Sequence, residues 1–297
     1  MSRHSVLHTT QHNPKFAAPI RTSDTLVLVC TYNERGSIEF LLDALLGLKV
    51  RCDVLVVDDS STDGTLDVLA ERAAADPRIG VIVRPRKLGL GSGLKLGWIH
   101  ARRMGYARLA QIDADLSHDP ADVQRLSDAL DAGADLVIGS RFMPGGRLDY
   151  RGIRGFVSRY ANVLAGLVLR LRLTEYTTSL KAVKLARVLE GLIETIENDG
   201  YSYQVACVSR LVRAGLKVTE IPIHFRNRHA GESKISNWEA LYGVVNLLWL
   251  GIDRSPYVPR AAEAAAPDCS VCGRPYVIRR PSGQLRCLAC FGSLEKS

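Results

Sequence analysis

Asp113 and Asp115 stand two positions apart in Gln111-Ile112-Asp113-Ala114-Asp115, directly after the apolar pair Leu109-Ala110. The stretch reads as a strand end opening into a loop. In extended backbone, residues two apart share one side. Two carboxylates held that close repel each other unless a cation sits between them. A hard divalent ion with oxygen ligands removes the repulsion and can carry phosphates at the same time. Glu34, Asp59 and Arg141 also follow apolar runs, so more charged groups are available to the same chemistry.

The elements that must position these groups alternate. Residues 26–30, 54–57, 79–83 and 136–138 are continuous apolar runs, as expected for strands covered on both faces. Between the first two, Ile38, Leu41, Leu42, Leu45 and Leu46 recur at helical spacing. Thr62 or Asp63 is placed to cap the next helix, and a further helix follows Arg86-Lys87-Leu88-Gly89-Leu90-Gly91-Ser92-Gly93. Strand and helix in alternation predict a parallel sheet with helices on both faces. Ligands of such sheets bind at the carboxyl ends of the strands, so Glu34, Asp59, Asp113, Asp115 and Arg141 are expected on one crest. Acids from several strands converging with a basic residue suit a metal-bound nucleotide.

An ordered series of motifs is similar to family 2 glycosyltransferases, and more narrowly to dolichol- or polyprenyl-phosphate mannosyltransferases. It comprises Thr31-Tyr32-Asn33-Glu34, Asp58-Asp59-x-Ser61-x-Asp63-Gly64-Thr65, Lys87-Leu88-Gly89-Leu90-Gly91 and Asp113-Ala114-Asp115-Leu116-Ser117-His118. Later come Gly139-Ser140-Arg141-Phe142, Gly200-Tyr201-Ser202-Tyr203-Gln204, Glu220-Ile221-Pro222-Ile223-x-Phe225 and Arg228-x-x-Gly231-Glu232-Ser233-Lys234. The resemblance runs from about residue 26 to residue 237. It implies a GT-A-type, Rossmann-like nucleotide-sugar transferase domain with a mostly parallel sheet. The activity implied is inverting transfer of a hexose, mannose from GDP-mannose, onto polyprenyl or dolichyl phosphate. Tyr32 and Glu34 would hold the nucleoside with Asp59, the Val57 backbone and Cys30, which stands where the family usually has Pro. Asp113 and Ala114 would line the diphosphate, and Asp115 would be the principal ligand of Mg²⁺ or Mn²⁺. Arg141, Arg228 and Lys234 would meet the donor diphosphate and the acceptor phosphate. A phosphate acceptor is already anionic and needs no strong general base, whereas a hydroxyl acceptor would.

Two segments depart from the family pattern. Glu175-Tyr176-Thr177-Thr178-Ser179-Leu180-Lys181 has a longer acid than the family's Asp and lacks its aromatic. Tyr203-Gln204-Val205-Ala206 lacks the family's final carboxylate. Between sheet and departures, Phe156, Tyr160, Val163, Leu164, Leu167 and Leu171 recur at helical spacing, with Arg154, Arg159, Arg170 and Arg172 around them. Two readings are open for this helix: packing on the core, or lying on an anionic lipid surface. Residues 238–252 are a second candidate for the membrane surface.

Composition sets the outer bounds. The 297 residues carry a formal charge of +8, which points to an anionic partner without naming it. The longest apolar stretches, 161–169 and 247–252, fall short of the roughly 18 residues of a membrane span. Residues 1–22 lack the apolar centre of a signal peptide and read as a mobile tail. Three of the seven cysteines are scattered among apolar neighbours, which suits a reducing cytoplasm, and the lipid-phosphate acceptor implied by the resemblance suits a peripheral place on its membrane face. The other four, Cys269-x-x-Cys272 and Cys287-x-x-Cys290, have the paired spacing of a structural zinc site around a hairpin at Ser282-Gly283. The expected organisation is a tail (1–22), a transferase domain (23–255), a linker (256–267) and a zinc-ribbon-like module (268–297).

Three functions compete. The first is the polyprenyl-phosphate mannosyltransferase. The second is a family 2 transferase using another nucleotide sugar, such as UDP-glucose, or a non-lipid acceptor. The third is a scaffold that presents the zinc ribbon to a partner. Nucleic acid is not an expected ligand of the transferase domain.

Overall fold

The computed structural model describes residues 21–149, 153–189, 191–193, 195–196 and 200–227, and two short strands near the C-terminus. The sheet begins with β1 (Thr25–Thr31), β2 (Asp53–Asp58), β3 (Ile79–Val83), β4 (Arg108–Asp113) and β5 (Leu136–Ser140). The helices between them are α1 (Ile38–Leu46), α2 (Thr65–Ala75), α3 (Leu90–Arg103) and α4 (Asp122–Asp131). Then follow β6 (Arg147–Leu148), α5 (Ile153–Leu169), β7 (Lys181–Lys184), α6 (Gly200–Arg213), β8 (Val218–Pro222) and β9 (His224–Phe225).

Seven strands form the main sheet in the order β3-β2-β1-β4-β7-β5-β8. All pairs are parallel except those of β7, which runs antiparallel between β4 and β5. The sheet is therefore mostly parallel, as the sequence implies, with one reversed strand that the apolar runs do not reveal. Its four residues begin and end with lysine, a poor signature for a central strand.

Alternation along β1 explains both hydrophobic cores. Leu26 and Leu28 face α3, α5 and α6, whereas Val27 and Val29 face α1, α2 and α4. Each fully buried aliphatic side chain of this kind contributes about 1.5–3 kcal/mol. Helix α3 lies unusually close to β1. A Cβ at Gly97 would come within 2.3 Å of Leu28 Cδ1, so a side chain there would push the two elements apart.

Two local expectations change. The N-cap of α2 is Gly64, at φ 91°, rather than Thr62 or Asp63. Asp63 still serves this helix start, accepting from the Thr65 amide at 3.0 Å and the Thr65 hydroxyl at 2.5 Å. On α5 the apolar series divides. Ala165 and Leu169 are buried, Leu164 and Leu171 pack on the core, and Tyr160, Val163 and Leu167 are 60%, 55% and 71% exposed. Those three positions lie outside the core-packing reading.

No described helix is long and apolar enough to cross a membrane. The C-terminal strands β10 (Val277–Arg279) and β11 (Leu285–Cys287) pair antiparallel, with Val277 opposite Cys287. They flank residues 280–284, where the sequence places a hairpin. Cys269, Cys272 and Cys290, the helix expected at 238–252, and Arg228 and Lys234 lie outside the described residues, as does the side chain of Cys287.

Candidate functional site

Strand register brings three expected donor contacts into one row. Cys30 of β1 lies opposite Val57 of β2 on one side and Asp113 of β4 on the other. The chain leaves these strands through tight loops. Among the described residues, only Asn33, Ser60, Leu116 and Arg170 have positive φ outside glycine, and the first three follow β1, β2 and β4. Strained backbone gathered at the carboxyl ends of central strands is a mark of a working site.

The loops are tied to one another. The Asn33 amide donates to Ser61 Oγ at 2.8 Å, and the Thr62 amide donates to Asn33 Oδ1 at 2.9 Å. The Glu34 amide donates to Thr65 Oγ1 at 3.0 Å, and Ser37 Oγ lies 3.4 Å from Glu34 Oε2. Lys87 sits over the Tyr32 ring, its Nζ 4.3 Å from the centroid. Asp58 is structural: its carboxylate accepts from Thr31 Oγ1 at 2.7 Å and from the Ser61 amide and hydroxyl at 2.8 and 2.6 Å.

Asp59 is held from all sides. It forms a buried ion pair with Arg84 and accepts the amides of Leu88 and Gly89 at 3.2 and 3.0 Å. Burial pushes its carboxyl above the usual carboxylate range despite Arg84. Arg84 itself bonds Ser92 Oγ at 2.6 Å and the Gly89 carbonyl at 2.8 Å, so it ties the start of α3 to the end of β2. The sequence reading missed Arg84. Its place immediately after a strand, at the same crest as the acids, was the available signal. Burial also pushes the Cys30 thiol up to about 12, so it stands at the crest as a neutral, unreactive group.

Asp113 is half-buried at the end of β4, with His118 Nε2 3.4 Å from its Oδ2. Asp115 is buried, and its Oδ1 accepts from the Ser117 amide at 3.0 Å and the Ser117 hydroxyl at 2.5 Å. His118 is itself buried, edge-on to Phe225 at 4.8 Å between centroids. The Arg226 amide donates to Ser117 O at 2.8 Å, and its guanidinium meets Asp119 at 3.0 Å. The chain that leads on to Arg228 is thereby fastened to the loop carrying the paired acids.

Among the described residues, no group of three or more His, Cys, Asp or Glu side chains forms a complete metal cage. A carboxylate pair without a cage fits an ion such as Mg²⁺, which takes one or two carboxylates and completes its shell with water and substrate phosphates.

On the other side of β4, Arg141 bonds Glu175 through Nε and Nη2 at 2.7 and 2.8 Å, and Thr177 Oγ1 through Nη2 at 2.7 Å. Burial raises the Glu175 carboxyl, but Arg141 and the bonds from Thr177 outweigh it and leave it below the usual range. The other two departures from the family pattern, Leu180 and Ala206, are fully buried in the two hydrophobic cores. Lys181 is buried beside them, with Nζ 2.5 Å from Gln204 Oε1. Gln204 is in turn bonded by Gln111 Nε2 at 3.1 Å and donates to Ser179 Oγ at 2.8 Å.

A doubly covered, mostly parallel sheet with paired acids at its crest is the architecture of a GT-A-type glycosyltransferase domain. The chain belongs to the Glycosyl transferase family 2, whose sequence profile matches residues 26–184. It is 38% identical over 218 residues to the polyprenol monophosphomannose synthase of Mycolicibacterium smegmatis, covering 72% of this chain and 82% of the relative. It is also 38% identical over 228 residues to the undecaprenyl-phosphate mannosyltransferase of Micrococcus luteus, covering 76% and 93%. Among solved structures, glucosyl-3-phosphoglycerate synthase from Mycobacterium tuberculosis has a similar fold, with a TM-score of 0.55, 20% identity and 82% of each chain covered.

Proposed function

We propose that this enzyme transfers mannose from GDP-mannose to polyprenyl phosphate with inversion at the sugar carbon. The observation that carries the reading is the 38% identity to two enzymes named for joining mannose to polyprenyl phosphate, over most of their length. The chemistry of the crest agrees. Tyr32, Glu34, Asp59, Cys30 and the Val57 backbone would hold the nucleoside. Asp113 and Asp115 would hold Mg²⁺ or Mn²⁺ beside Ala114 and the diphosphate, and the ion would offset the charge of the leaving nucleoside diphosphate. Arg141, Arg228 and Lys234 would neutralise phosphate oxygens of donor and acceptor.

The membrane is the proposed place of action. Tyr160, Val163 and Leu167 present an exposed apolar stripe on α5, and exposed Arg159, Arg170 and Arg172 flank it. Apolar side chains bordered by arginines suit an anionic lipid surface, where the acceptor would be presented. At the C-terminus, Cys269, Cys272, Cys287 and Cys290 would bind one structural zinc ion. Equal zinc content in the full chain and in a chain ended after Pro259 would refute that assignment.

The deciding experiment offers purified enzyme undecaprenyl phosphate, Mg²⁺ or Mn²⁺, and either GDP-mannose or UDP-glucose, then weighs the lipid fraction by mass spectrometry. A mannosyl adduct is expected. A glucosyl adduct, or product only on a water-soluble acceptor, would favour the second family 2 reading, and no product with any donor would favour the scaffold. Asp115→Asn keeps the oxygen that Ser117 bonds but removes the negative charge. It should cost about 10²–10³-fold in kcat with thermal stability nearly unchanged.

A further inference from the structure

The bonds around Arg141 reach further than the ion pair. Thr177 Oγ1 accepts from Arg141 Nη2 at 2.7 Å and from Asn162 Nδ2 at 3.3 Å, and donates to Glu175 Oε1 at 2.8 Å. Its one proton and two lone pairs are thereby all used. Asn162, buried on α5, also accepts the Tyr176 amide at 2.7 Å through Oδ1. The same turn is fixed from the opposite side by Glu220, which accepts the Thr174 and Glu175 amides at 3.0 and 2.9 Å. Phe142 and Phe225 flank the guanidinium, each with its ring centroid 5.1 Å from Cζ.

The geometry consumes one edge of the arginine. Nε and Nη2, the edge that makes two-pronged contacts with carboxylates and phosphates, both face Glu175. Nη1 makes no hydrogen bond among the described residues and is left for a ligand. Glu175 is longer by one methylene than the Asp of the family pattern, and its two oxygens span both nitrogens. Glu175 is fully buried and the Arg141 side chain 9% exposed, and so largely buried an ion pair is weak evidence for stability, because well-packed apolar groups usually do as well. It is a good device for holding a cation at a fixed angle with one nitrogen outward.

We propose that Glu175, Thr177 and Asn162 are positioning residues. They lock Arg141 so that it meets one phosphate oxygen through Nη1. The clamp rests on the reading that Arg141 contacts substrate phosphate. Because Asn162 belongs to α5, the helix with the exposed Tyr160-Val163-Leu167 stripe also carries one support of the arginine.

The test pairs kinetics with a signal from the arginine itself. Mannosyl transfer from GDP-mannose to undecaprenyl phosphate is measured for the wild type, Glu175→Gln, Thr177→Val, Thr177→Ser, Arg141→Ala and the Glu175→Gln/Arg141→Ala pair. Glu175→Gln should lower kcat/KM about 100-fold and Thr177→Val about tenfold, with Thr177→Ser restoring most of the loss. In the Arg141→Ala background, Glu175→Gln should add less than about twofold, since it acts only through the arginine. Losses that multiply in the double variant would overturn the clamp.

The second readout is solvent exchange of the Arg141 Nε–H in ¹⁵N-arginine-labelled enzyme, assigned by its disappearance in Arg141→Ala. Exchange should be slow in the wild type and at least about tenfold faster in Thr177→Val and Glu175→Gln. Thr177→Val keeps the size of the side chain and serves if Glu175→Gln does not fold. Unchanged exchange in Thr177→Val would overturn the clamp whatever the enzyme transfers. Absence of transfer by the wild type would instead refute the proposed function.

Discussion

Arg84 and Lys181 are buried in opposite halves of the main sheet, and the two are held by opposite means. On the β1–β2–β3 side, Arg84 is 2% exposed and meets a carboxylate, Asp59, which is also bonded by two backbone amides. On the β7 side, Lys181 is 1% exposed and its hydrogen-bond partner is a neutral amide, Gln204. The first is a closed charge pair within one loop system. The second is a charge set into a network of side chains from β4, β7 and α6. Burying a paired charge and burying a charge against a dipole have different costs, so the two halves should respond differently when the cation is removed.

The larger effect is expected at Arg84. Arg84→Met would leave the Asp59 carboxylate buried without its counter-charge, a change that typically costs about 3–5 kcal/mol. Denaturant unfolding of wild type and variant measures it. The sign of its pH dependence follows from Asp59. Burial already raises this carboxyl above its unfolded value, and loss of Arg84 would raise it further. The folded variant then holds a proton that the unfolded chain has released, so its deficit should shrink as pH falls through the raised Asp59 pKa. A deficit below about 1 kcal/mol at neutral pH would erase the contrast between the two halves.

The same contrast decides what the sequence could disclose. Around β1, β2 and β4 some bonds are short-range, and the longer ones, such as Asn33 with Ser61 and Glu34 with Thr65, join segments that each carry a motif. Asp58 with Ser61, Asp63 with Thr65, and Asp115 with Ser117 each lie within three positions, and the apolar runs place the crest. Fold class and the strand ends that carry Glu34, Asp59, Asp113 and Arg141 were therefore legible, whereas Cys30 and Val57 entered only through the family resemblance. On the β7 side the bonds join residues far apart: Arg141 with Glu175, Gln111 with Gln204, Thr174 with Glu220. No local period or spacing encodes such pairs. The reversed strand β7 was hidden for a related reason, since its apolar core is only Ala182-Val183 between two lysines. The helix α5 was legible as a helix, but the side facing the core was not. Its buried face includes the polar Asn162, while apolar Tyr160, Val163 and Leu167 face outward. Although Ala165 and Leu169 are buried as hydrophobicity predicts, those four positions depart from the partition expected for a helix surrounded by water.

The smaller effect is expected at Lys181. Burial holds its ammonium below the usual lysine range, against the favourable pull of Cys207, Glu175 and Asp113. The charge is thus already disfavoured in the folded state, and Lys181→Met replaces the side chain by one of similar length without it. Gln204 Oε1 keeps its bond from Gln111, so no acceptor is stranded. The stability change at neutral pH should stay within about 1 kcal/mol in either direction. The deficit again grows as pH rises, as for Arg84→Met, but in an alkaline window and through a titration in the wild type instead of the variant. A lysine whose folded pKa is lowered binds its proton more tightly when unfolded, so the wild type should gain stability as pH rises from the folded pKa towards the unfolded value near 10.4. Lys181→Met should lack that alkaline gain. Unfolding curves of both proteins across pH 7 to 10 would show the difference between them drifting in favour of the wild type. A loss of several kcal/mol at pH 7, with no drift, would mean that Lys181 is held as a stabilising charge like Arg84 and that the two halves bury their cations on the same terms.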